Sequence, residues 1–269
     1  MLIKLVAIDI DGTLLNDKRE ITPEVKSAIR RAKEKGVKIV ITTGRPFHGV
    51  KDILAELNLL EDGDYVITFN GALVVRTKDN SEFIRKPLAY EDYLDIERLS
   101  RELNVHLHAN AADCIYTANR NISKYTVNEA FIVDMPLLYR TPEEMTPNLE
   151  IIKCMYIDEP EFLDKVIPQI EERFEDRFTM VRSTPFYYEL LNREVSKGQA
   201  VIALAIKLGF TQSETMAIGD ADNDIAMLEV VGHPVAMGNA TENILAVARK
   251  VTKSNNEHGV AHAIEQWVL

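Results

Sequence analysis

Nearly continuous apolar runs alternate with amphipathic stretches at both ends of the chain, the pattern of strands covered on both faces and of the helices that cover them. Leu2 to Ile8 predicts a first buried strand. Thr22-Pro23 reads as an N-cap followed by proline at the first helical position, and Val25, Ala28, Ile29 and Ala32 recur at helical spacing before Gly36. Val37 to Ile41 predicts a second strand, and Val50, Ile53, Leu54 and Leu57 mark another helix face. Tyr65 to Phe69 predicts a third strand, closed by the turn signal Asn70-Gly71. The alternation returns late in the chain. Val201, Leu204, Ala205 and Leu208 form a helical stripe stopped by Gly209, Met216 to Ile218 is a short buried strand, and Pro234 to Met237 and the segment around Val251 read as further strands.

Strands separated by helices imply an α/β fold, a doubly wound Rossmann-like core with a mostly parallel sheet. Residues 84–191 have another texture. They hold most of the tyrosines, alternating strand-like stretches such as Lys153 to Asp158 and Phe186 to Leu191, and polar helices such as Tyr90 to Leu103. We read them as an inserted α+β domain, with 1–83 and 192–269 forming the core, because loop-closure cost grows slowly with insertion length.

Composition narrows the partners. At 269 residues and 46% hydrophobic content the chain can bury enough surface for two compact units. A net charge of −11 argues against a nucleic-acid surface, since phosphate backbones are held by clustered Lys and Arg. Cys114 and Cys154 have no metal-ligand or disulfide-framework spacing and read as buried thiols in a reducing compartment. The first apolar stretch meets Asp9 too soon for a signal segment, and no run approaches the ~20 apolar residues of a membrane span. The expectation is a cytoplasmic protein with no membrane partner; oligomeric state is left open.

The chemistry sits at strand ends. In open α/β sheets, ligands bind beyond the carboxyl ends of the strands. Asp9-Ile10-Asp11-Gly12-Thr13 places two carboxylates there, and an aspartate beside a glycine can also simply form a turn. Three further segments carry groups suited to the same phosphoryl-transfer site: Thr43-Gly44, Lys197-Gly198, and Gly219-Asp220-Ala221-Asp222-Asn223-Asp224. No P-loop, Gly-x-Gly-x-x-Gly or nucleophile elbow occurs, and the six histidines show no fitting metal-ligand spacing.

These four segments resemble the motifs of the haloacid dehalogenase (HAD) superfamily: Asp-x-Asp-Gly-Thr, a strand-end Thr, a Lys, and Gly-Asp-x-x-Asn-Asp. Phrases such as Thr42-Thr43-Gly44-Arg45-Pro46, Asn70-Gly71-Ala72, Tyr116-Thr117-Ala118-Asn119-Arg120 and Val195-Ser196-Lys197-Gly198 extend the resemblance along nearly the whole chain to the Cof-type phosphatases, sugar phosphatases among them. The resemblance implies a large cap of the C2 type between the second and third motifs. It also implies a Mg²⁺-dependent phosphatase acting on a small phosphorylated metabolite, a sugar phosphate being the first class to test.

A phosphate dianion repels a carboxylate nucleophile unless cations neutralise both, and Mg²⁺ uses one or two protein carboxylates plus substrate oxygens. Asp9 is expected to attack phosphorus and form an aspartyl-phosphate, with Asp11 as general acid and then base. Asp9 and Asp220 are the expected side-chain metal ligands, and the family pattern adds the backbone carbonyl of Asp11. Thr43, the Gly44 amide, Lys197 and Asn223 are expected to bind phosphate, Lys197 also offsetting charge during transfer. Asp224 is expected to hold Lys197 or a metal-bound water. Asp222 reads instead as a helix-start acid, Asn70 as either a turn or a site residue, and Arg45 as either a phosphate contact or a surface group. Asn110, Asn119, Arg120 and Tyr188 are the polar cap residues that could face a sugar. A sugar phosphomutase shares these motifs, and a receiver-like phosphorylated switch shares the acids, Thr and Lys; the second carboxylate and the insertion argue against the switch.

Overall fold

A computed structural model describes residues 2–269. The chain begins with β1 (Leu5–Asp9), α1 (Pro23–Glu34), β2 (Lys38–Thr42), α2 (Lys51–Glu56), β3 (Tyr65–Thr68), β4 (Leu73–Arg76) and β5 (Ser81–Arg85). It continues through α3 (Tyr90–Glu102), β6 (His106–Asn110), β7 (Ile115–Thr117), α4 (Lys124–Ile132), β8 (Leu137–Tyr139), β9 (Lys153–Ile157), α5 (Pro160–Phe174), β10 (Phe178–Thr184) and β11 (Tyr187–Asn192). It ends with α6 (Lys197–Lys207), β12 (Thr215–Gly219), α7 (Ile225–Val230), β13 (His233–Ala236), α8 (Glu242–Val247), β14 (Lys250–Val251) and α9 (Gly259–Trp267). Two compact units result, one of residues up to Gly44, Val50–Ile84 and Ser196–Leu269, the other of Arg45–Gly49 and Arg85–Val195.

The first unit is a doubly wound α/β layer structure. Its eight-stranded sheet has the order β14-β13-β12-β1-β2-β3-β4-β5, parallel from β14 to β3, with β4 antiparallel to β3. All five residues of β1 are buried, as a central strand covered on both faces requires. On one face Leu5, Ala7, Val40 and Ile67 pack against Ala200, Val201, Leu204 and Ala205 of α6 and Met227 and Leu228 of α7. Truncating a side chain such as Leu204, fully buried there, costs about 2–5 kcal/mol in comparable cores. α1 buries Val25, Ala28, Ile29 and Ala32, the stripe read from its periodicity, and packs with α9 and β2. The β4–β5 ribbon at the sheet edge was not anticipated, because the polar turn between its strands interrupts the helix-strand alternation.

The second unit is a six-stranded sheet of order β10-β11-β9-β6-β7-β8, antiparallel except for the β7–β8 pair. One face is sealed by α3 and α5: Leu107, Ala109, Cys154, Tyr156 and Leu190 meet Ile96, Leu163, Val166, Ile170 and Phe174. Tyr188 lies on this sealed face, with its hydroxyl donated to Glu171 of α5 at 2.8 Å. Its expected sugar-facing role is therefore corrected to packing. Asn119 is likewise occupied, its Oδ1 accepting the Leu107 N–H at 2.8 Å. Both cysteines are free and buried. Among the described residues no helix is long and apolar enough to cross a membrane.

Candidate active site

Parallel register brings the motifs together. β1 lies between β2 and β12, so the carboxyl ends of three adjacent strands deliver Asp9, Thr42-Thr43 and Gly219-Asp220 to one edge, Asp9 standing opposite Thr42. After Asp9 the chain folds back, Leu14 donating to the Asp9 carbonyl at 3.2 Å and Leu15 to that of Ile10 at 3.0 Å. Gly12 allows this turn: its φ is +81°, and a Cβ there would overlap the Asp220 carboxylate. The turn is pinned by Thr13, whose hydroxyl donates to Asp220 Oδ1 at 2.6 Å, and by Asn239, whose amide donates to the Gly12 carbonyl at 2.8 Å.

At the end of β2, the Thr43 N–H donates to Ile67 at 2.9 Å and the Thr43 carbonyl accepts from Asn70 at 2.9 Å. Asn70 is in the left-handed region with φ 55°, and its carboxamide packs against Gly44, about 3.1 Å from where a Cβ would stand. Asn70 is thus part of the wall behind Thr43-Gly44 as well as a turn residue.

Lys197 is the first residue of α6, whose N-cap Ser196 accepts the Gln199 N–H at 3.0 Å. The lysine is 2% exposed. Its Nζ donates to Asp9 Oδ1 and to Asp224 Oδ1, each at 2.6 Å. The other Asp224 oxygen accepts the N–H groups of Asp220 at 3.2 Å and Ala221 at 3.4 Å. Gly219 makes room for this, since a Cβ there would lie 2.6–2.7 Å from the Asp224 side chain.

Two buried carboxylates, Asp9 and Asp224, share one ammonium, and the half-buried Asp220 lies beside them. Burial is the largest influence on Asp9; Lys197 opposes it, Asp224 and Asp220 reinforce it, and its carboxyl is pushed up to about 7. Asp220 is pushed up to about 6, chiefly by burial, against the Thr13 hydrogen bond and with the help of Asp224. For Lys197 burial disfavours the charge, but Asp9 and Asp224 outweigh it and hold the ammonium above its ordinary value. One ligand oxygen from each of Asp9, Asp220 and Asp224 lies within 4.8 Å of the others, so the trio could hold a metal ion.

Asp9, Asp220, Asp224 and Lys197 are therefore brought together, with Thr43 and Gly44 at the neighbouring strand end. Asp11 is exposed on the turn two residues beyond Asp9, and Asn223 is exposed on the turn before α7. Asp222 turns to α8, accepting from Thr241 at 2.7 Å and Asn243 at 3.0 Å. Thr13 and Asn239 were missed by sequence reasoning. Thr13 stands inside the first motif and could have been weighed as a hydroxyl donor to an acid; nothing local marks Asn239.

The site is thus a cluster of acids around one buried lysine at the strand ends of a doubly wound α/β sheet. The haloacid dehalogenase-like hydrolase family matches residues 6–264, and the chain belongs to that family. A Streptococcus pyogenes protein named as a putative phosphatase is 56% identical, covering 100% of both chains. The Bacillus subtilis 5-amino-6-(5-phospho-D-ribitylamino)uracil phosphatase YcsE is 33% identical over 99% of this chain and 96% of its own. A solved structure described as a HAD subclass IIB sugar phosphatase superposes with a TM-score of 0.79 at 25% identity, over 97% of this chain and 98% of that one. The chain is a phosphatase of this family.

Proposed function

We propose that the protein is a Mg²⁺-dependent phosphatase of small phosphate monoesters, sugar phosphates in the first place, working through an aspartyl-phosphate on Asp9. The observation that carries this is Lys197, buried and shared at 2.6 Å between Asp9 and Asp224 beside Asp220. An ammonium at that point orients the Asp9 carboxylate and offsets charge as the phosphoryl group approaches it. Thr43 and the Gly44 amide lie at the adjacent strand end, suited to phosphate oxygens.

Asp9 forms a bond to phosphorus as the ester P–O bond breaks, and Asp11 gives its proton to the departing alkoxide. Water then attacks phosphorus, Asp11 takes its proton, and inorganic phosphate leaves as the Asp9 carboxylate is restored. Asp224 acts through Lys197, whose position it sets. The oxygen-only donor set, too acidic for a single lysine to balance, fits a hard divalent cation. Asp9, Asp220 and the Asp11 carbonyl would hold it, and when bound it supplies neutralisation of phosphate charge.

The test is phosphate release across sugar phosphates, the ribitylamino-uracil phosphate, nucleotides and aryl phosphates, ranked by kcat/KM. Inorganic phosphate from sugar phosphates supports the reading; an isomerised sugar phosphate with no release would establish a mutase instead. Asp11→Asn is expected to lower kcat by ~10²–10⁴-fold, the usual worth of acid–base assistance. Its loss should be smaller for p-nitrophenyl phosphate, whose leaving group needs no proton, and equal losses on both substrates would remove Asp11 from this role.

Metal and pH are linked. Asp9 and Asp220 have folded values above the ~3.9 of a free aspartate. Without a cation their protonated forms favour the fold. That stabilisation is complete below about pH 4 and is lost as the pH rises through about 6 and about 7. Mg²⁺ should therefore stabilise the fold more at pH 8 than at pH 5, by about 2.7 kcal/mol at pH 8 when it is in hundredfold excess over its Kd there. Chelation should abolish activity reversibly. Full activity in metal-stripped protein, or a Mg²⁺ shift independent of pH, speaks against the assignment.

A further inference from the structure

The turn that carries Asp11 is gripped from the far end of the chain. Asn239 stands on the loop after β13; its Nδ2 donates to the Gly12 carbonyl at 2.8 Å and its Oδ1 accepts the Asn255 N–H at 2.9 Å. One end of the carboxamide gives and the other receives, so its orientation is fixed. Asn255 is buried, and its own Nδ2 donates to the Leu15 carbonyl and to Asp17 Oδ1, each at 3.1 Å. Asn256 completes the grip: its Nδ2 donates to Asp17 Oδ2 at 2.9 Å, and its Oδ1 accepts the Asp17 N–H at 3.1 Å. Gly12, Leu15 and Asp17 are thus each tied to the C-terminal segment, all within the first unit.

The same loop holds the neighbouring strand end. The Met237 N–H donates to the Gly219 carbonyl at 3.0 Å and the Thr241 N–H to the Asp220 carbonyl at 2.9 Å. Asn239 lies between those two donors in the chain, so it registers the Gly12 carbonyl against the strand end that bears Asp220. Thr13 makes a second tie between the same segments, from its hydroxyl to Asp220 Oδ1. The two ties flank the Gly12–Thr13 peptide. That peptide gains from outside restraint, because Gly12 is in the left-handed region at φ +81° and glycine has the widest choice of backbone conformations. Asp11, the residue before it, is exposed, and its backbone follows the peptide that Asn239 holds.

We propose that Asn239 is a positioning residue for the general acid: by holding the Gly12 carbonyl, with Asn255 as its anchor, it sets the place of the Asp11 carboxyl. This rests on the role given to Asp11 above. Asn239 is itself exposed, so its bonds contribute little to global stability. Their weight in turnover is larger. Proton transfer needs heavy atoms about 2.6–3.2 Å apart, and a misplacement of about 1 Å can cost ~10²-fold.

The experiment uses Asn239→Ala and Asn239→Asp, the second of which keeps the shape and can still accept from Asn255 but turns an oxygen on the Gly12 carbonyl. They are compared with wild type, Asp11→Asn and the double variant Asp11→Asn/Asn239→Ala, on the best alkyl phosphate and on p-nitrophenyl phosphate. Both Asn239 variants are expected to lower kcat on the alkyl ester by about ten- to a hundredfold, with a smaller loss on the aryl ester. In the Asp11→Asn background Asn239→Ala should cost nothing further, since its effect passes through the missing carboxyl. A readout without turnover is amide exchange in the metal-free protein. The Leu14 and Leu15 N–H groups, which close the turn, should exchange faster in Asn239→Ala, while the melting midpoint moves by no more than about two degrees. Equal losses on both esters, full additivity with Asp11→Asn, or a midpoint many degrees lower in both variants would make Asn239 a merely structural residue and overturn the proposal. If Asp11→Asn itself shows no selectivity for the alkyl ester, the acid role proposed above falls and this assignment with it. Selectivity in Asp11→Asn that neither Asn239 variant shares defeats this assignment alone.

Discussion

Asp9→Asn is expected to reduce steady-state hydrolysis by at least ~10⁴-fold while leaving the protein folded, the size of loss seen when a covalent nucleophile is removed. Asparagine matches aspartate in shape and can still accept from Lys197, but its amide cannot form the acyl-phosphate. The stability effect has a definite sign. Burial and the Asp224 and Asp220 carboxylates push the Asp9 carboxyl up to about 7, so at pH 8 without metal the wild type holds a disfavoured charge there. The Asn variant lacks it. Its melting midpoint without Mg²⁺ should equal or exceed wild type at pH 8, and the difference should vanish near pH 5, where Asp9 is protonated. A folded variant that turns over at the wild-type rate would falsify the nucleophilic assignment.

Lys197→Met is expected to damage both stability and catalysis. The lysine is the buried cation at 2.6 Å from two carboxylates, and breaking a buried ion pair by removing one partner costs about 3–5 kcal/mol. That cost should shrink at pH 5, where Asp9, pushed up to about 7, takes up a proton. Turnover should fall by ~10²–10³-fold or more, as when a preorganised donor to a developing charge is lost. Lys197→Arg should not restore it, because a planar guanidinium cannot replace a point ammonium in a site with 2% exposure. Denaturant melts at the two pH values, run beside kinetics, separate the effects. A Met variant as stable as wild type at pH 8 would show that the Asp9 and Asp224 charges do not depend on the lysine.

Much of the core unit was legible because its signals are local. The α1 stripe, the apolar strands and the acids at their ends follow from periodicity and from where apolar runs stop, and β1, β2, β3 and β12 lie where those runs predict. The inserted sheet was less legible. Alternation along β6, β9 and β11 separates two faces but does not say which one helices cover, so Tyr188 and Asn110 looked equivalent. They are not: one donates to Glu171 beneath α5, the other lies unpaired on the opposite face. The same limit explains Asp222 and Asp224, two residues apart on one turn, of which one serves α8 and the other Lys197.

The amino-acid order by itself determined the layer type, the family motifs and the positions at which strands deliver Asp9, Thr43 and Asp220, because each depends on neighbours within a few residues. Only the tertiary structure decided that one buried ammonium is shared by acids 188 and 27 positions away along the chain. It alone also decided that Thr13 restrains Asp220 and that Asn110 is left without a partner. Those outcomes depend on burial and register across the sheets, where removal from water turns a common lysine, threonine or asparagine into a group whose every contact matters.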